Sequence, residues 1–92
     1  MLRVELLTRA GCGACDAAAA VLAAVCADFG LSWSTVDVDE AAEQHPELRA
    51  EYGDRLPVVL LQGREHSYLD IDKPRLRREV QALTERSAEG GG

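Results

Sequence analysis

Apolar positions in the first third of the chain change from a short run to a helical repeat, which predicts a strand followed by a helix. Residues 2–7 form an apolar run that alternates only in part, as is typical of an interior strand covered on both faces. Over residues 13–29 apolar residues recur every three or four positions, so we expect a helix with one buried face. That face carries Cys15, Ala18, Leu22, Cys26 and Phe29.

The middle of the chain shows a weaker strand pattern and then two short helical stretches. Residues 31–38 predict a second strand, but their alternation slips in phase halfway, which either a bulge or an edge position would absorb. Residues 39–44 predict a helical turn capped by Asp39, and residues 46–52 predict a short helix that begins at a proline. The acidic residues of this region are interpreted as a solvated face: Asp37, Asp39, Glu40 and Glu43.

The last third of the chain predicts a hairpin and a final helix. Residues 56–61 give the strongest strand pattern, and a turn at residues 62–63 leads into a partner strand at residues 64–68. Asp72 is a suitable cap for the last helix. The apolar stripe of that helix comprises Leu76, Val80 and Leu83. We expect the terminal residues 87–92 to form a flexible tail.

The predicted order of elements is β-α-β-α-β-β-α, which indicates an α/β fold. The first two strands are joined by a helix and should be parallel with a right-handed crossover, whereas the last two form a hairpin. A four-stranded mixed sheet with helices on both faces follows. At 92 residues the chain is long enough for one domain, which we place at residues 1–86 ahead of the tail.

Charge and composition exclude several classes of partner. The formal net charge of −6 argues against nucleic acid or an anionic membrane surface. The N-terminus lacks the apolar core of a signal peptide, and no run approaches the ~18–20 apolar residues of a membrane span. An odd count of 3 cysteines is unlike a secreted disulfide scaffold. We therefore expect a cytoplasmic monomer, in which a Cys-x-x-Cys pair is redox-active or binds metal.

The candidate chemistry lies between the first strand and the first helix. Cys12 would sit at the helix N-terminus, where unpaired N–H groups and the helix dipole stabilise a thiolate. Cys15 follows one helical turn later, so it can reach Cys12 but not solvent. This arrangement predicts attack by Cys12 and resolution by Cys15. The carboxylate of Asp16 works against a low pKa at Cys12.

The remaining thiol and the histidines do not complete a recognisable metal site. Cys26 falls on the buried helix face and is interpreted as a small core residue, with a third redox thiol or a metal ligand as the alternative. His45 and His66 lie at unrelated places in the predicted fold, and a Cys-x-x-Cys pair supplies only half of a four-ligand zinc site. We therefore predict no metal ligands.

The element order, the Cys-x-x-Cys pair and the Leu56-Pro57 start of the third strand resemble the thioredoxin superfamily. In size and order the chain is similar to glutaredoxins, most of all to the small glutaredoxin-like proteins of bacteria, over residues 2 to about 86. The resemblance implies that Cys12 is the nucleophile, that Cys15 is the resolving thiol and that Pro57 is the family's cis-proline. It also implies that the backbone of Leu56 pairs with an extended substrate.

The same resemblance implies a partly altered site for a small thiol. Arg9 matches the basic residue that contacts the glutathione carboxylate, or alternatively it is a loop charge that lowers the pKa of Cys12. Asp70 matches the acid that meets the glutamyl amine. The family's glycine pair after the fourth strand is replaced here by Ser67 and Tyr68, and Tyr68 narrows the groove.

These features predict a thiol-disulfide oxidoreductase that reduces disulfides of proteins or of low-molecular-weight thiols. No bound cofactor is expected, and the electron donor would be glutathione, another small thiol such as mycothiol, or a reductase. One alternative is a non-enzymatic module that binds a partner or carries a metal or cluster. Another is an adaptor whose Cys-x-x-Cys pair stays reduced and inert, because fold does not imply function.

Overall fold

The computed structural model describes residues 2–90, with the side chains of residues 2–86, and it confirms the predicted α/β order. The elements are β1 (Val4–Thr8), α1 (Gly13–Asp28), β2 (Ser34–Asp37), α2 (Val38–Ala41), α3 (Pro46–Tyr52), β3 (Val58–Leu61), β4 (Arg64–Tyr68) and α4 (Lys73–Gly90). The helical turn and the short helix predicted between the second and third strands are α2 and α3.

The strands form one mixed sheet in the order β2-β1-β3-β4. β1 pairs with β2 in parallel and with β3 in antiparallel orientation, and β3 and β4 form the predicted hairpin. β1 and β3 are therefore the two central strands. This position explains the continuous apolar run of β3, in which every residue is buried, because a central strand is covered on both faces.

Apolar side chains from the two faces of the sheet build two cores. On one face, Leu6 and Val59 pack with residues of α1 and α4, including Leu22 and Leu76. On the other face the core is smaller, and α2 and α3 cover it. Its members are Leu7, Val38, Val58 and Leu60, with Val36, Leu48, Tyr52 and Leu56 packed against them. The alternation of Leu6 and Leu7 between the two cores follows the two-residue period of a strand.

The second strand is shorter than the sequence predicts, and it lies at the sheet edge. The predicted strand covered residues 31–38, but β2 ends where the side chain of Asp37 accepts hydrogen bonds from the backbone N–H groups of Asp39 and Glu40. Asp37, not Asp39, therefore caps the helix that follows, and Val38 is fully buried as its first residue. The apparent slip in phase, between Trp33 and Val36, falls where β2 begins at Ser34, because residues 31–33 lie before the strand.

Neither of the two long helices ends at the residue that the sequence predicts. α1 ends at Asp28, one residue before the predicted end, and Gly30 beyond it has a φ of 65°. α4 continues to Gly90, so its backbone includes residues 87–90, which the sequence analysis assigned to a flexible tail. Alanine and glutamate there favour helix, which explains the continuation. Residues 91–92 of that predicted tail lie outside the described residues.

Candidate functional site

The loop between β1 and α1 holds the two predicted redox cysteines at the start of the helix. Gly11 has a φ of 77°, and the N–H of Cys12 donates to the carbonyl of Arg9 across a tight turn at 3.3 Å. Cys12 is the N-cap of α1, and its Sγ accepts a hydrogen bond of 3.2 Å from the N–H of Cys15. The sequence prediction that Cys12 lies at the helix N-terminus agrees with this geometry.

Cys12 and Cys15 are joined by a disulfide, with their Cα atoms 5.2 Å apart. Cys15 is 4% exposed, whereas Cys12 is only partly buried, so the sulfur of Cys12 is the more open to an incoming group. A disulfide accepts two electrons and two protons to become two thiols. An external thiolate can therefore attack the sulfur of Cys12 first, which forms a mixed disulfide at Cys12 and releases the Cys15 thiolate.

The segment before β3 lies at the same end of the sheet as the cysteine loop. Val58 stands opposite Leu7 in the register of β3 against β1, which places Pro57 beside the end of β1. The Leu56–Pro57 peptide bond is cis. The N–H of Leu69 donates to the carbonyls of Pro57 at 2.8 Å and Arg55 at 3.2 Å, so the end of β4 holds this segment in place.

Arg9, the predicted contact for an anionic thiol, is engaged by an aspartate of α2. Its Nε lies 2.8 Å from Oδ2 of Asp39 and its Nη2 lies 3.1 Å from Oδ1, so the two side chains form a bidentate ion pair. Its Nη1 lies 3.5 Å from the carbonyl of Gly53, and Arg49 approaches the same aspartate at 3.9 Å. The hydrogen bond from Arg9 lowers the pKa of Asp39, and the same bond raises the pKa of Arg9.

A groove of about 460 Å³ runs beside the cysteine pair. Its lining comes from the loop after β1, the first turns of α1 and the edge strand β2, and it includes Arg9, Cys12, Cys15 and Asp16. Three of the predicted site residues are therefore brought into one groove, and Leu56 and Pro57 lie at the same end of the sheet.

Asp70, the predicted contact for an amine, lies in a different groove. It is exposed just beyond β4, where its N–H donates to the carbonyl of Tyr68 at 2.8 Å. The groove that it lines has a volume of about 530 Å³ and includes His66 and Arg75, but not the cysteines. Tyr68 at 48% and Leu69 at 53% exposure line the same groove, and the backbone N–H of Leu69 links it to the carbonyl of Pro57.

Two features of this region have no counterpart in the sequence analysis. The acidic residues 37–43 were assigned to a solvated face, yet Asp37 caps α2 and Asp39 binds Arg9. The guanidinium of Arg55 lies 5.4 Å from the ring centres of both Tyr52 and Tyr68. A helix cap directly after a strand was a readable signal for Asp37. Neither the partner of Arg9 nor the stacking of Arg55 could be found from the sequence, since both depend on how the chain folds back.

The other titratable groups do not converge on a metal site. Cys26 is 1% exposed in the main core, where burial raises the pKa of its thiol. Among the side chains described, those of residues 2–86, His, Cys, Asp and Glu form no group of 3 or more placed to hold a metal ion. Over the same part of the chain, none of the helices is long and apolar enough to cross a membrane.

Comparison with known proteins identifies the family to which the chain is similar. The profile of the Glutaredoxin-like domain (DUF836) matches residues 3–81. An uncharacterized protein of Mycobacterium tuberculosis is similar at 54% identity over 83 residues, which cover 89% of this chain and 86% of that protein. An uncharacterized protein of Mycobacterium bovis matches with the same identity and coverage.

Solved structures show the same fold. The X-ray structure of a structural genomics target from X. campestris aligns with a TM-score of 0.66 at 31% identity, covering 86% of this chain and 96% of that one. Oxidized thioredoxin O2 from Arabidopsis thaliana aligns with a TM-score of 0.64 over 90% of this chain and 75% of that one. Its 20% identity speaks for the thioredoxin fold alone. With a thioredoxin-like fold, a Cys-x-x-Cys pair at disulfide distance and a family match over most of its length, this chain belongs to the glutaredoxin-like domain family.

Proposed function

We propose that this protein is a thiol-disulfide oxidoreductase that uses Cys12 as nucleophile and Cys15 as resolving thiol. The observation that carries the proposal is the disulfide at the N-terminus of α1, with Cys15 buried and Cys12 only partly buried. Such asymmetry lets a substrate reach one sulfur and leaves the other to complete the exchange.

The proposed cycle begins with both cysteines reduced. The Cys12 thiolate attacks one sulfur of a substrate disulfide, so a mixed disulfide forms and the first substrate thiolate leaves. Cys15 then loses its proton and attacks Sγ of Cys12, which releases the second substrate thiolate and closes the Cys12–Cys15 disulfide. Two electrons pass from the protein to the substrate, and an external thiol or a reductase restores the dithiol.

The setting of Cys12 supports a low thiol pKa in the reduced protein. The N–H of Cys15 points at its sulfur, and the positive end of α1 adds to the stabilisation of the thiolate. We expect the pKa of the Cys12 thiol to lie below its usual value, with the carboxylate of Asp16 opposing that shift. The reduction potential should lie between about −200 and −270 mV.

The segment before β3 supports an extended stretch of the substrate. Among the described residues, neither the N–H nor the C=O of Leu56 takes part in a backbone hydrogen bond. These free groups can pair with a peptide that lies along the segment as an added strand. Asp70, in its separate groove, would meet only a substrate that extends past Tyr68.

The decisive experiment is a redox titration of the cysteine pair. The full-length protein is equilibrated in thiol buffers of defined potential, trapped with an alkylating reagent and analysed by mass spectrometry. We expect one two-electron transition in the stated window, all exchange lost in Cys12→Ser, and mixed disulfides retained in Cys15→Ser. Cys26→Ala is the matched control and should keep the wild-type transition. A pair that stays reduced throughout, or activity that survives in Cys12→Ser, would exclude the proposed function.

A further inference from the structure

The groove beside Cys12 is lined by one basic and one acidic side chain. Of the residues that line it, Arg9 and Asp16 are the ones with charged side chains. Asp16 is exposed on the first turn of α1 and forms no ion pair with another described residue. Its carboxylate is therefore free to act on whatever enters the groove.

The cation of the groove is already engaged. Two nitrogens of Arg9 donate to the two carboxylate oxygens of Asp39, and a third lies near the carbonyl of Gly53. Besides that hydrogen bond, the charges of Asp37 and Asp54 also raise the pKa of Arg9, so further acids stand around it. An anionic group that approached Cys12 would have to compete with Asp39 for the guanidinium.

We propose that this groove disfavours anionic thiols and disulfides, and that Asp39 determines this preference by holding Arg9. The inference rests on the oxidoreductase activity proposed above and names its substrate class. The preferred disulfides carry neutral or positively charged groups next to the sulfurs, as in a protein segment with lysine or arginine beside its cysteine. Asp39 contacts no reacting atom, so its role is to determine specificity through Arg9.

The test compares two alkylating reagents of similar size, one anionic and one neutral. Iodoacetate and iodoacetamide react with a thiolate in the same way: the sulfur–carbon bond forms, the carbon–iodine bond breaks and iodide leaves. The rate at Cys12 is followed by peptide mass spectrometry on the reduced, full-length protein. Both rates depend on the same fraction of Cys12 thiolate. Dividing the iodoacetate rate by the iodoacetamide rate therefore removes the effect of any change in the pKa of Cys12. The quotient therefore reports the electrostatic preference of the groove.

Asp39→Asn should raise this quotient about two- to threefold, because the freed guanidinium attracts the carboxylate of iodoacetate. The increase should shrink in about 1 M salt, and Arg9→Gln in the same chain should abolish it. Glu40→Gln is the matched control: it removes the same charge from α2 but has no ion pair with Arg9. We expect that control to shift the quotient far less.

An unchanged quotient in Asp39→Asn, or an equal rise in Glu40→Gln, would overturn the proposal.

A second measurement compares oxidation of the reduced protein by cystamine, which is cationic, and by dithiodipropionate, which is anionic. Cystamine should react faster, and Asp39→Asn should narrow the gap. If neither disulfide oxidises the pair, the proposed oxidoreductase function fails, while the alkylation quotient still decides the charge preference.

Discussion

Single residues in this protein take their roles from their neighbours more than from their type. Asp37 and Asp39 lie two positions apart, yet the first caps α2 through backbone N–H groups and the second binds the guanidinium of Arg9. Cys26 shares its chemistry with Cys12 but is buried in the main core, away from the groove. Burial raises the pKa of its thiol, so it remains protonated and apolar in character.

His66 is the residue for which burial predicts a pH effect on stability. Its partly buried ring on β4 has a lowered pKa, chiefly through desolvation and also through Arg75, while Glu79 opposes the shift. The unfolded chain therefore binds a proton more readily than the folded one. The stability that neutral His66 contributes should be complete above about pH 6.5, which is near the pKa of a histidine in the unfolded chain. The free energy of unfolding should fall as the pH drops below that value.

Urea unfolding of wild type and His66→Gln at about pH 7.5 and about pH 5.5 tests this effect. The midpoint should fall with pH in wild type and should fall less in His66→Gln. His45→Gln changes an exposed histidine on the other side of the sheet and is the control. Equal pH dependence in His66→Gln and wild type would show that this ring does not drive the change.

At the scale of elements, the two long helices are held to one face of the sheet by apolar stripes that the sequence makes visible. Leu22 of α1 and Leu76 and Val80 of α4 are each at most 1% exposed in the same core. Arg77 adds an exposed ion pair to Asp28 across the two helices. Exposed ion pairs contribute little to stability, so burial of the two apolar stripes is what holds these helices to the sheet.

Leu76→Ala should lower the free energy of unfolding by about 2–5 kcal/mol, because it removes buried methyl groups and leaves a cavity. Arg78→Ala, on the exposed side of α4, should change it by about 0.5 kcal/mol or less. Both variants can be compared by urea denaturation at neutral pH. A similar effect of the two substitutions would contradict the assignment of this stripe to the core.

At the scale of the whole molecule, the sheet order gathers distant segments around the cysteines. β1 lies between β2 and β3, so the loop after β1 meets both the start of α2 and the segment before β3. The Arg9–Asp39 pair spans 30 positions of sequence, and the contact of Arg9 with Gly53 spans 44. The charge of the groove is therefore a property of the assembled fold.

Gly53, at the end of α3, tests how closely the last turn of that helix is packed. A Cβ atom there would lie 2.5 Å from the carbonyl oxygen of Arg49 and 3.5 Å from Nη2 of Arg9. Gly53→Ala should therefore force backbone to move and lower the free energy of unfolding by about 1–3 kcal/mol.

The matched substitution is Gly13→Ala, because a Cβ at Gly13 meets no atom within 4 Å. It should be neutral or stabilising by up to about 1 kcal/mol, since alanine favours helix more than glycine does. Urea denaturation of both variants measures the difference. If Gly53→Ala is tolerated as well as Gly13→Ala, the last turn of α3 relaxes around the added methyl group without a loss of stability.

The sequence by itself determined the order of the elements, the buried faces of α1 and α4, and the position of the Cys12–Cys15 pair at a helix start. These features depend on neighbours within about one helical turn or two strand positions, so local spacing is enough to read them. The apolar run at Val58–Leu61 identified a buried strand for the same reason.

Only the tertiary structure decided the strand order, the partner of Arg9 and the separate groove of Asp70. Each depends on contacts between residues far apart in sequence, which the pattern of apolar positions does not encode. The cysteine pair could thus be found from its spacing, whereas the charge of the groove beside it emerged when Asp39 folded onto Arg9. Local sequence determined the position of the cysteine pair, and the fold determined that Asp39 of α2 pairs with Arg9 beside it.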